Sequence, residues 1–110
     1  MRYLLAFLLC VNVAHAADFK LMLAIMKCES SYRFEVWGDD RKSYGIAQFR
    51  QSTFYEFAGM SIKEKSWPFG QPNWKNMQHQ VFLLEWGLNH GYGRRWTCYR
   101  KIKGEQRDRK

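Results

Sequence analysis

Two cysteines, Cys28 and Cys98, set the tightest constraint on how this chain can fold. The third cysteine, Cys10, lies in an apolar N-terminal stretch that has the pattern of an export signal. An even pair of cysteines in a short exported chain is typical of a disulfide, and closing a loop of this length stabilises the folded state by about 4 kcal/mol in the chain-entropy estimate. We therefore predict a Cys28–Cys98 bridge. The alternatives are two free thiols or a metal site with His79 and His90, which no CxxC or HxxxH spacing supports.

The N-terminal stretch reads as a signal peptide over residues 1–16. Residues 4–13 are almost wholly apolar, and Ala14-His15-Ala16 follows as a small-x-small site for signal peptidase. The apolar run is well short of the ~20 residues that span a bilayer, which argues against a membrane anchor. Leucines rather than small residues precede Cys10, which argues against a lipoprotein. We expect cleavage after Ala16.

The chain is strongly basic, with a formal net charge of +8 at pH 7, to which Arg2 contributes within the signal. Such a charge predicts an anionic partner, and an exported chain meets anionic wall polymers and lipid head groups. Basic and aromatic residues would also suit a nucleic-acid module, but the export signal argues against one. Part of the charge lies in residues 100–110, which we expect to form a flexible, solvated tail without a chemical role.

The apolar pattern predicts one small domain over residues 17–99 that is essentially all α. No stretch of four or more residues alternates between apolar and polar as a half-buried strand would. The expected helices run over about residues 18–30, 53–59 and 73–90. Thr53 is expected to open the second helix as part of a capping box, and Gly59 and Gly91 are expected to end the second and third helices.

Glu29 is the first candidate for chemistry, because it lies on the apolar face of the first helix. Counting back from it by three, four and seven residues reaches Met26, Ile25 and Met22. Partial burial and the negative end of the helix dipole both raise the pKa of a carboxyl group at this position, toward the range that a general acid needs. The alternative is a glutamate that simply extends into solvent from the last helical turn.

Glu29 belongs to the first of four short motifs that follow one another along the chain. They are Glu29-Ser30-Ser31, the segment Ser43-Tyr44-Gly45-Ile46-Ala47-Gln48-Phe49 with Thr53 after it, Leu88-Asn89-His90-Gly91, and Trp96-Thr97-Cys98-Tyr99. Together they resemble the lysozyme-like lytic transglycosylases of the soluble lytic transglycosylase (SLT) type. That pattern is a helix ending in Glu-Ser, then Ser-x-Gly-hydrophobic-x-Gln, a Thr that opens the next helix, Asn-x-Gly, and a closing aromatic segment. The resemblance covers residues 21–99.

The resemblance implies a small lysozyme-like fold, within the α+β lysozyme-like superfamily, that cleaves peptidoglycan. Glu29 would donate a proton to the glycosidic oxygen between N-acetylmuramic acid and N-acetylglucosamine. It would then take the proton of the muramoyl C6 hydroxyl, which closes a 1,6-anhydro ring. The resemblance implies no cofactor and no metal. It further implies a bacterial or phage-encoded protein, secreted or periplasmic, that acts as a monomer without stable insertion in a membrane.

The same resemblance assigns substrate contacts to five further residues. Ser43 and Gln48 would hold sugar hydroxyl or acetamido groups, Gly45 would let the backbone approach the sugar closely, Asn89 would line the cleft, and Tyr99 would form its far wall. Four of the five have a structural alternative. Ser43 suits a turn, Gln48 and Asn89 suit helix caps, and Tyr99 suits packing beside a disulfide.

Tryptophans are expected both in the core and in the sugar cleft, because their faces stack on the apolar faces of sugar rings. Trp37, Trp67 and Trp96 are the candidates for sugar contact, and Trp74 and Trp86 on the third helix are expected in the core. Composition alone does not separate the two roles.

Two other functions compete with transglycosylation. A lysozyme-type hydrolase would use a second carboxylate to hold or activate water, and Asp39 or Asp40 is placed to supply it, although Gly-Asp-Asp also suits an ordinary turn. The second alternative is a basic wall-binding protein without turnover, which would have no need for Glu29 and Gln48 together.

Overall fold

The computed structural model describes residues 19–104. The predicted signal peptide and the end of the predicted tail, residues 105–110, lie outside the described residues. The described helices are α1, which ends at residue 30, α2 (Gln51–Lys63), α3 (Met77–Asn89) and α4 (Thr97–Ile102), with a 3₁₀ turn at Gly93–Arg95. The strands are β1 (Trp37–Gly38), β2 (Ser43–Tyr44) and β3 (Phe49–Arg50). In this part of the chain no helix is long and apolar enough to cross a bilayer.

The predicted mainly helical domain is confirmed, but the prediction missed a small antiparallel sheet that β1, β2 and β3 form in that order. Trp37 pairs with Tyr44, and Tyr44 pairs with Phe49. Each strand has only two residues, so the alternation by which strands are recognised in a sequence has no room to develop. The domain is therefore mainly helical with a small sheet between α1 and α2.

The apolar face predicted for α1 is confirmed, since Met22, Ile25 and Met26 are buried. It packs into a core rich in aromatic side chains from α2, α3 and the residues before α4. The largest side chains fully buried there are Phe49, Phe54, Phe57, Ile25, Leu83 and Leu84. Trp86 is buried and Trp74 packs against the core as a partly buried side chain, as predicted for both. This core fixes the three long helices around one apolar centre.

The helix boundaries differ from the predicted ones at three places. α2 begins at Gln51 with Arg50 as a cap that makes no side-chain bond, so the predicted capping box at Thr53 does not form. α2 also continues through Gly59 to Lys63, because an exposed glycine costs a helix only about 1 kcal/mol and does not end it by itself. α3 begins at Met77, where the side chain of Asn76 accepts a hydrogen bond from the backbone N–H of His79 at 3.0 Å.

The predicted Cys28–Cys98 disulfide is confirmed and joins the last turn of α1 to α4 across 70 residues of chain. The bridge brings α4 beside Glu29. α4 continues past Tyr99 through Arg100 to Ile102, so the first residues of the predicted flexible tail are helical. The tail was expected from its basic composition, whereas the disulfide at Cys98 tethers the helix from which these residues continue.

Candidate active site

A groove with a volume of about 630 Å³ lies where α1 ends, where α2 begins and where α4 starts. Its walls come from all three helices and from the sheet. The side chains that line it include Glu29, Ser43, Gln48, Thr53, Trp96 and Arg100. The groove thus brings together the predicted acid and two of its predicted substrate contacts.

Glu29 lies half-buried in the wall of this groove, with Oε2 accepting a hydrogen bond from the backbone N–H of Cys98 at 3.2 Å. Burial raises the pKa of Glu29 above its ordinary value. The hydrogen bond from Cys98 and the positive charges of Lys101 and Arg100 act in the opposite direction, and burial is the larger effect. The carboxyl group is therefore held more readily protonated than a solvated glutamate, in the direction that the sequence predicts.

Ser30 fixes the end of α1 relative to the sheet. Its side chain is buried, and its hydroxyl lies 2.8 Å from the carbonyl oxygen of Ile46 and 3.1 Å from that of Met26. Because the contact to Ile46 spans sixteen residues of sequence, it ties the helix that carries Glu29 to the loop that carries Gln48. The Glu-Ser pair of the sequence motif is thus an acid followed by a structural anchor.

Gln48 is held in a defined position in the groove wall. Its Nε2 donates to the carbonyl oxygens of Gly45 at 2.9 Å and Val36 at 3.2 Å, and its backbone adopts φ of 51°. A Cβ added at Gly38 would collide with Oε1 of Gln48. The absence of a side chain at Gly38 therefore leaves the space that this amide oxygen occupies. In the sequence, the only indication of a role for Gly38 is its place before Asp39 in a turn-forming stretch.

Gln80, which the sequence analysis missed, is a fully buried side chain that organises the same loop from behind. Its Oε1 accepts from the backbone N–H of Ala47 at 3.1 Å, and its Nε2 donates to the carbonyl oxygens of Tyr44 at 2.7 Å and Trp74 at 2.8 Å. Gly45 has φ of 96°, and a Cβ there would collide with the amide group of Gln80. Gly45 thus contacts Gln80 rather than the groove, where it was predicted to approach a sugar.

Two residues with small hydroxyl side chains complete the polar wall. Ser43 is buried in β2, opposite Gly38 and Arg50 in the sheet register. Thr53 lies in the first turn of α2 and faces the groove. Thr53 was predicted as a helix cap, but its place in the groove wall makes it a further candidate for substrate contact.

Asn89 and Tyr99 lie outside the walls of the groove. Asn89 is an exposed residue at the end of α3. The ring of Tyr99 packs directly over Gly93, where any Cβ would come within 2.5 Å of it. The structure therefore brings Ser43 and Gln48 to the groove with Glu29, but neither Asn89 nor Tyr99.

The two aspartates considered as second carboxylates differ in position. Asp39 lies in the groove wall and forms an ion pair with Arg50 at 2.6 Å. Asp40 is exposed and lies outside the groove. Both residues adopt left-handed backbone angles, as expected for the turn between β1 and β2. Asp39 therefore remains as the partner that a hydrolytic mechanism would use.

Of the tryptophans predicted to contact sugar, only Trp96 lies in the groove wall. It is a mostly buried side chain whose Nε1 donates to the carbonyl oxygen of Ala47 at 3.0 Å. Trp37 is 40% exposed, and its ring packs against Tyr44 and Trp74, which lie outside the groove wall. Trp67 packs against Phe69 and other rings elsewhere. The structure therefore brings one of the three predicted tryptophans to the groove.

Among residues 19–104 there is no group of three His, Cys, Asp or Glu side chains that would hold a metal ion. No family profile, curated protein or solved structure matches the chain. What the groove does chemically is therefore argued from its own residues.

Proposed function

We propose that this protein is an exported lytic transglycosylase that cleaves the glycan strands of peptidoglycan with Glu29 as its acid and base. The observation that carries the proposal is the half-buried carboxyl group of Glu29 in the wall of a groove, with its pKa raised by burial. A carboxyl group that holds its proton more readily than a solvated glutamate is better suited to donate it to the oxygen of a glycosidic bond.

The geometry of Glu29 suits both halves of such a reaction. The N–H of Cys98 bonds to Oε2, and no described residue donates a hydrogen bond to Oε1, which stays available to a ligand. In the first step the carboxyl proton moves to the bridging oxygen and the bond to the muramoyl C1 breaks. In the second step the carboxylate takes the proton of the C6 hydroxyl, and O6 bonds to C1. The proton returns to Glu29, so one carboxyl group suffices.

Gln48 and Ser43 are the proposed contacts to the sugar. The amide nitrogen of Gln48 is engaged with two backbone carbonyls, which orients the side chain and leaves Oε1 as an acceptor for an acetamido N–H or a hydroxyl. Ser43 and Thr53 add hydroxyl groups in the same groove. A volume of 630 Å³ falls within the range of about 300–1,000 Å³ that is typical of ligand sites.

The setting of the protein fits the proposed substrate. A disulfide is typical of an oxidising compartment such as the periplasm or the exterior of the cell, where peptidoglycan is found. The net positive charge favours approach to an anionic wall. We propose that the protein acts there as a monomer and needs no cofactor.

The test is digestion of purified peptidoglycan by the wild-type protein and by Glu29→Gln, followed by mass spectrometry of the released fragments. We expect 1,6-anhydro-muramoyl ends from the wild type and none from the variant, because glutamine cannot donate or accept the proton. Equal release of anhydro-muramoyl ends by both proteins would contradict the role of Glu29, and no release by either protein would favour the wall-binding alternative.

A muramidase is the second candidate, because Asp39 lies in the same groove as Glu29. In that reaction water attacks C1, so the products end in reducing muramic acid, and Asp39→Asn would abolish their formation. We favour transglycosylation because Asp39 already forms an ion pair with Arg50, which competes with a role in holding water.

A further inference from the structure

Three arginines, Arg50, Arg95 and Arg100, lie in the walls of the groove. Two of them are neutralised by carboxylates of the protein. Arg50 pairs with Asp39 at 2.6 Å, and Arg95 pairs with Glu56 at 3.2 Å. The charges of these two guanidinium groups are therefore already balanced before a ligand binds.

Arg100 differs from the other two because no described carboxylate lies within ion-pair distance of its guanidinium group. One terminal nitrogen donates to the carbonyl oxygen of Arg94, and the other donates to Oγ1 of Thr97 at 3.3 Å. Its Nε is buried and has no hydrogen-bond partner in the described part of the chain. These neutral acceptors hold the side chain in place and leave its charge without a counter-ion.

The uncompensated charge lies close enough to Glu29 to affect it. The positive charge of Arg100 acts to lower the pKa of Glu29, against the effect of burial. An anionic group bound at Arg100 would offset this effect, and the carboxyl group of Glu29 would then hold its proton more firmly. The groove is thus better prepared for acid catalysis with an anionic ligand than with a neutral one.

We infer that Arg100 binds a carboxylate of the muramoyl residue, so that the groove selects carboxylated glycan over neutral N-acetylglucosamine polymer. Guanidinium and carboxylate groups form short, charge-assisted hydrogen bonds, and a neutral sugar offers no such partner. The carboxylate has two possible sources, namely the lactyl group of a strand without stem peptides or the stem peptide itself. The inference rests on the proposed function for its substrate, and Arg100 serves in it as a specificity residue.

Binding measurements test this inference separately from cleavage. In the Glu29→Gln background, isothermal titration calorimetry is carried out with three oligosaccharides of equal length. They are a stem-free muramoyl-glucosaminyl strand, the same strand with stem peptides, and a chitin oligosaccharide. We expect at least one muramoyl ligand to bind about ten-fold more tightly than chitin, and Arg100→Gln to remove this preference without weakening chitin binding. Preference for the stem-free strand alone would identify the lactyl carboxylate, and preference for the stem-bearing strand would identify the stem.

Two matched variants separate a bound carboxylate from general charge effects. Lys103→Gln removes one positive charge just beyond α4 and outside the groove, and we expect it to keep the preference. Arg95→Gln removes a guanidinium group that is already paired, so we expect a smaller loss than for Arg100→Gln. An equal loss in all three variants, or an unchanged preference in Arg100→Gln, would overturn the inference.

Arg100 also bonds to Arg94 and Thr97, so the fold of its variants is checked by circular dichroism. Arg100→Lys keeps the charge but lacks the planar fork, and we expect it to retain part of the preference. If Arg100→Gln fails to fold, binding by Arg100→Lys is the deciding measurement. The inference would be overturned if Arg100→Lys preferred muramoyl ligands over chitin as strongly as the Glu29→Gln parent does, and if added salt did not reduce that preference. If the wild type cleaves nothing while the Arg100-dependent preference persists, the proposed reaction is wrong and the carboxylate site stands.

Discussion

The helical part of the molecule and the segment over residues 31–50 are held together by different forces. Phe57 in α2 and Leu83 and Leu84 in α3 are fully buried and pack against other apolar side chains. In the segment, side-chain hydrogen bonds to the backbone are made instead by Ser30 and Gln80 from outside and by Gln48 from within. Half of the residues that line the groove lie in the segment, and Glu29 lies just before it at the end of α1.

Backbone conformation separates the same two regions. Among residues 19–104, six of the seven non-glycine residues with positive φ lie in the segment, and the exception is Lys65 after α2. Such conformations are uncommon and persist where surrounding contacts fix them. Apolar packing therefore supplies a rigid base, while a few buried polar groups determine where the side chains of the groove lie.

Loss of the disulfide should have the largest effect, because the bridge joins the helical part to the site. Replacing both Cys28 and Cys98 by serine should lower the free energy of unfolding by about 4 kcal/mol, as expected for a closed loop of 70 residues. It should also lower activity, because α4 supplies the N–H that bonds to Glu29. Urea unfolding of the wild type with and without reductant provides the control. An unchanged unfolding midpoint after reduction would contradict the prediction.

Gln80→Leu should have the second largest effect, with a loss of about 3 kcal/mol. Leucine fills similar space but leaves the N–H of Ala47 and two carbonyl oxygens without partners. Hydrogen exchange should show faster exchange of the Ala47 amide than of amides within α2. Gln78→Leu, at an exposed position of the same helix, should change stability by less than about 0.5 kcal/mol. Similar losses in both variants would show that the buried amide does not organise the loop.

Gly38→Ala should alter activity far more than stability. The added methyl group displaces Oε1 of Gln48, which is the end of a flexible side chain. The free energy of unfolding should therefore change by only about 1 kcal/mol. Activity on peptidoglycan should fall at least ten-fold, because a factor of ten corresponds to the free energy of roughly one lost hydrogen bond to the substrate. Gly59→Ala, in open space on α2, should stabilise the fold by about 0.5–1 kcal/mol and leave activity unchanged. Equal activity of the two variants would remove Gln48 from the site.

The difference between the two regions also explains what the sequence revealed. Apolar periodicity predicted α1 and α3, and the cysteine pair predicted the disulfide, because the residues that make these contacts also carry the signal. α2 was predicted from a cap at Thr53 and a stop at Gly59, neither of which bounds the helix. The two-residue strands left no such signal, because pairing partners and left-handed turns decide them. Sequence pattern therefore predicted the helical part well and the segment poorly.

The site shows the same limit. Glu29, Ser43 and Gln48 were found from motifs along the chain, and all three lie in the groove. Gln80 was missed because nothing in the sequence around it indicates the three backbone groups to which its side chain bonds, two of which lie more than 30 residues away in the chain. Arg100 was assigned to a flexible tail because its place in the groove depends on the disulfide and on α4. Residues that act through long-range contacts require the fold to be known.

Glu29→Gln should have the smallest effect on stability, and its sign is specific. Because burial raises the pKa of Glu29 above 4.5, the folded protein binds this proton more tightly than the unfolded chain. The resulting stabilisation is complete below the pKa of the unfolded chain and is lost as pH rises through the folded pKa. Glutamine does not titrate, so Glu29→Gln should gain stability relative to the wild type between acid and neutral pH.

Thermal unfolding of the wild type and Glu29→Gln at several pH values measures this gain, and the acid end of the series is the internal control. The variant should unfold at a higher temperature than the wild type at neutral pH, and the difference should shrink as the solution is acidified. Glutamine still offers an oxygen to the N–H of Cys98, so the hydrogen bond that fixes the group is not lost. If the difference in unfolding temperature were constant with pH, or had the opposite sign, the pKa of Glu29 would not be raised in the folded protein. The groove would then lack the acid on which the proposed chemistry depends, even if every other residue lies as described.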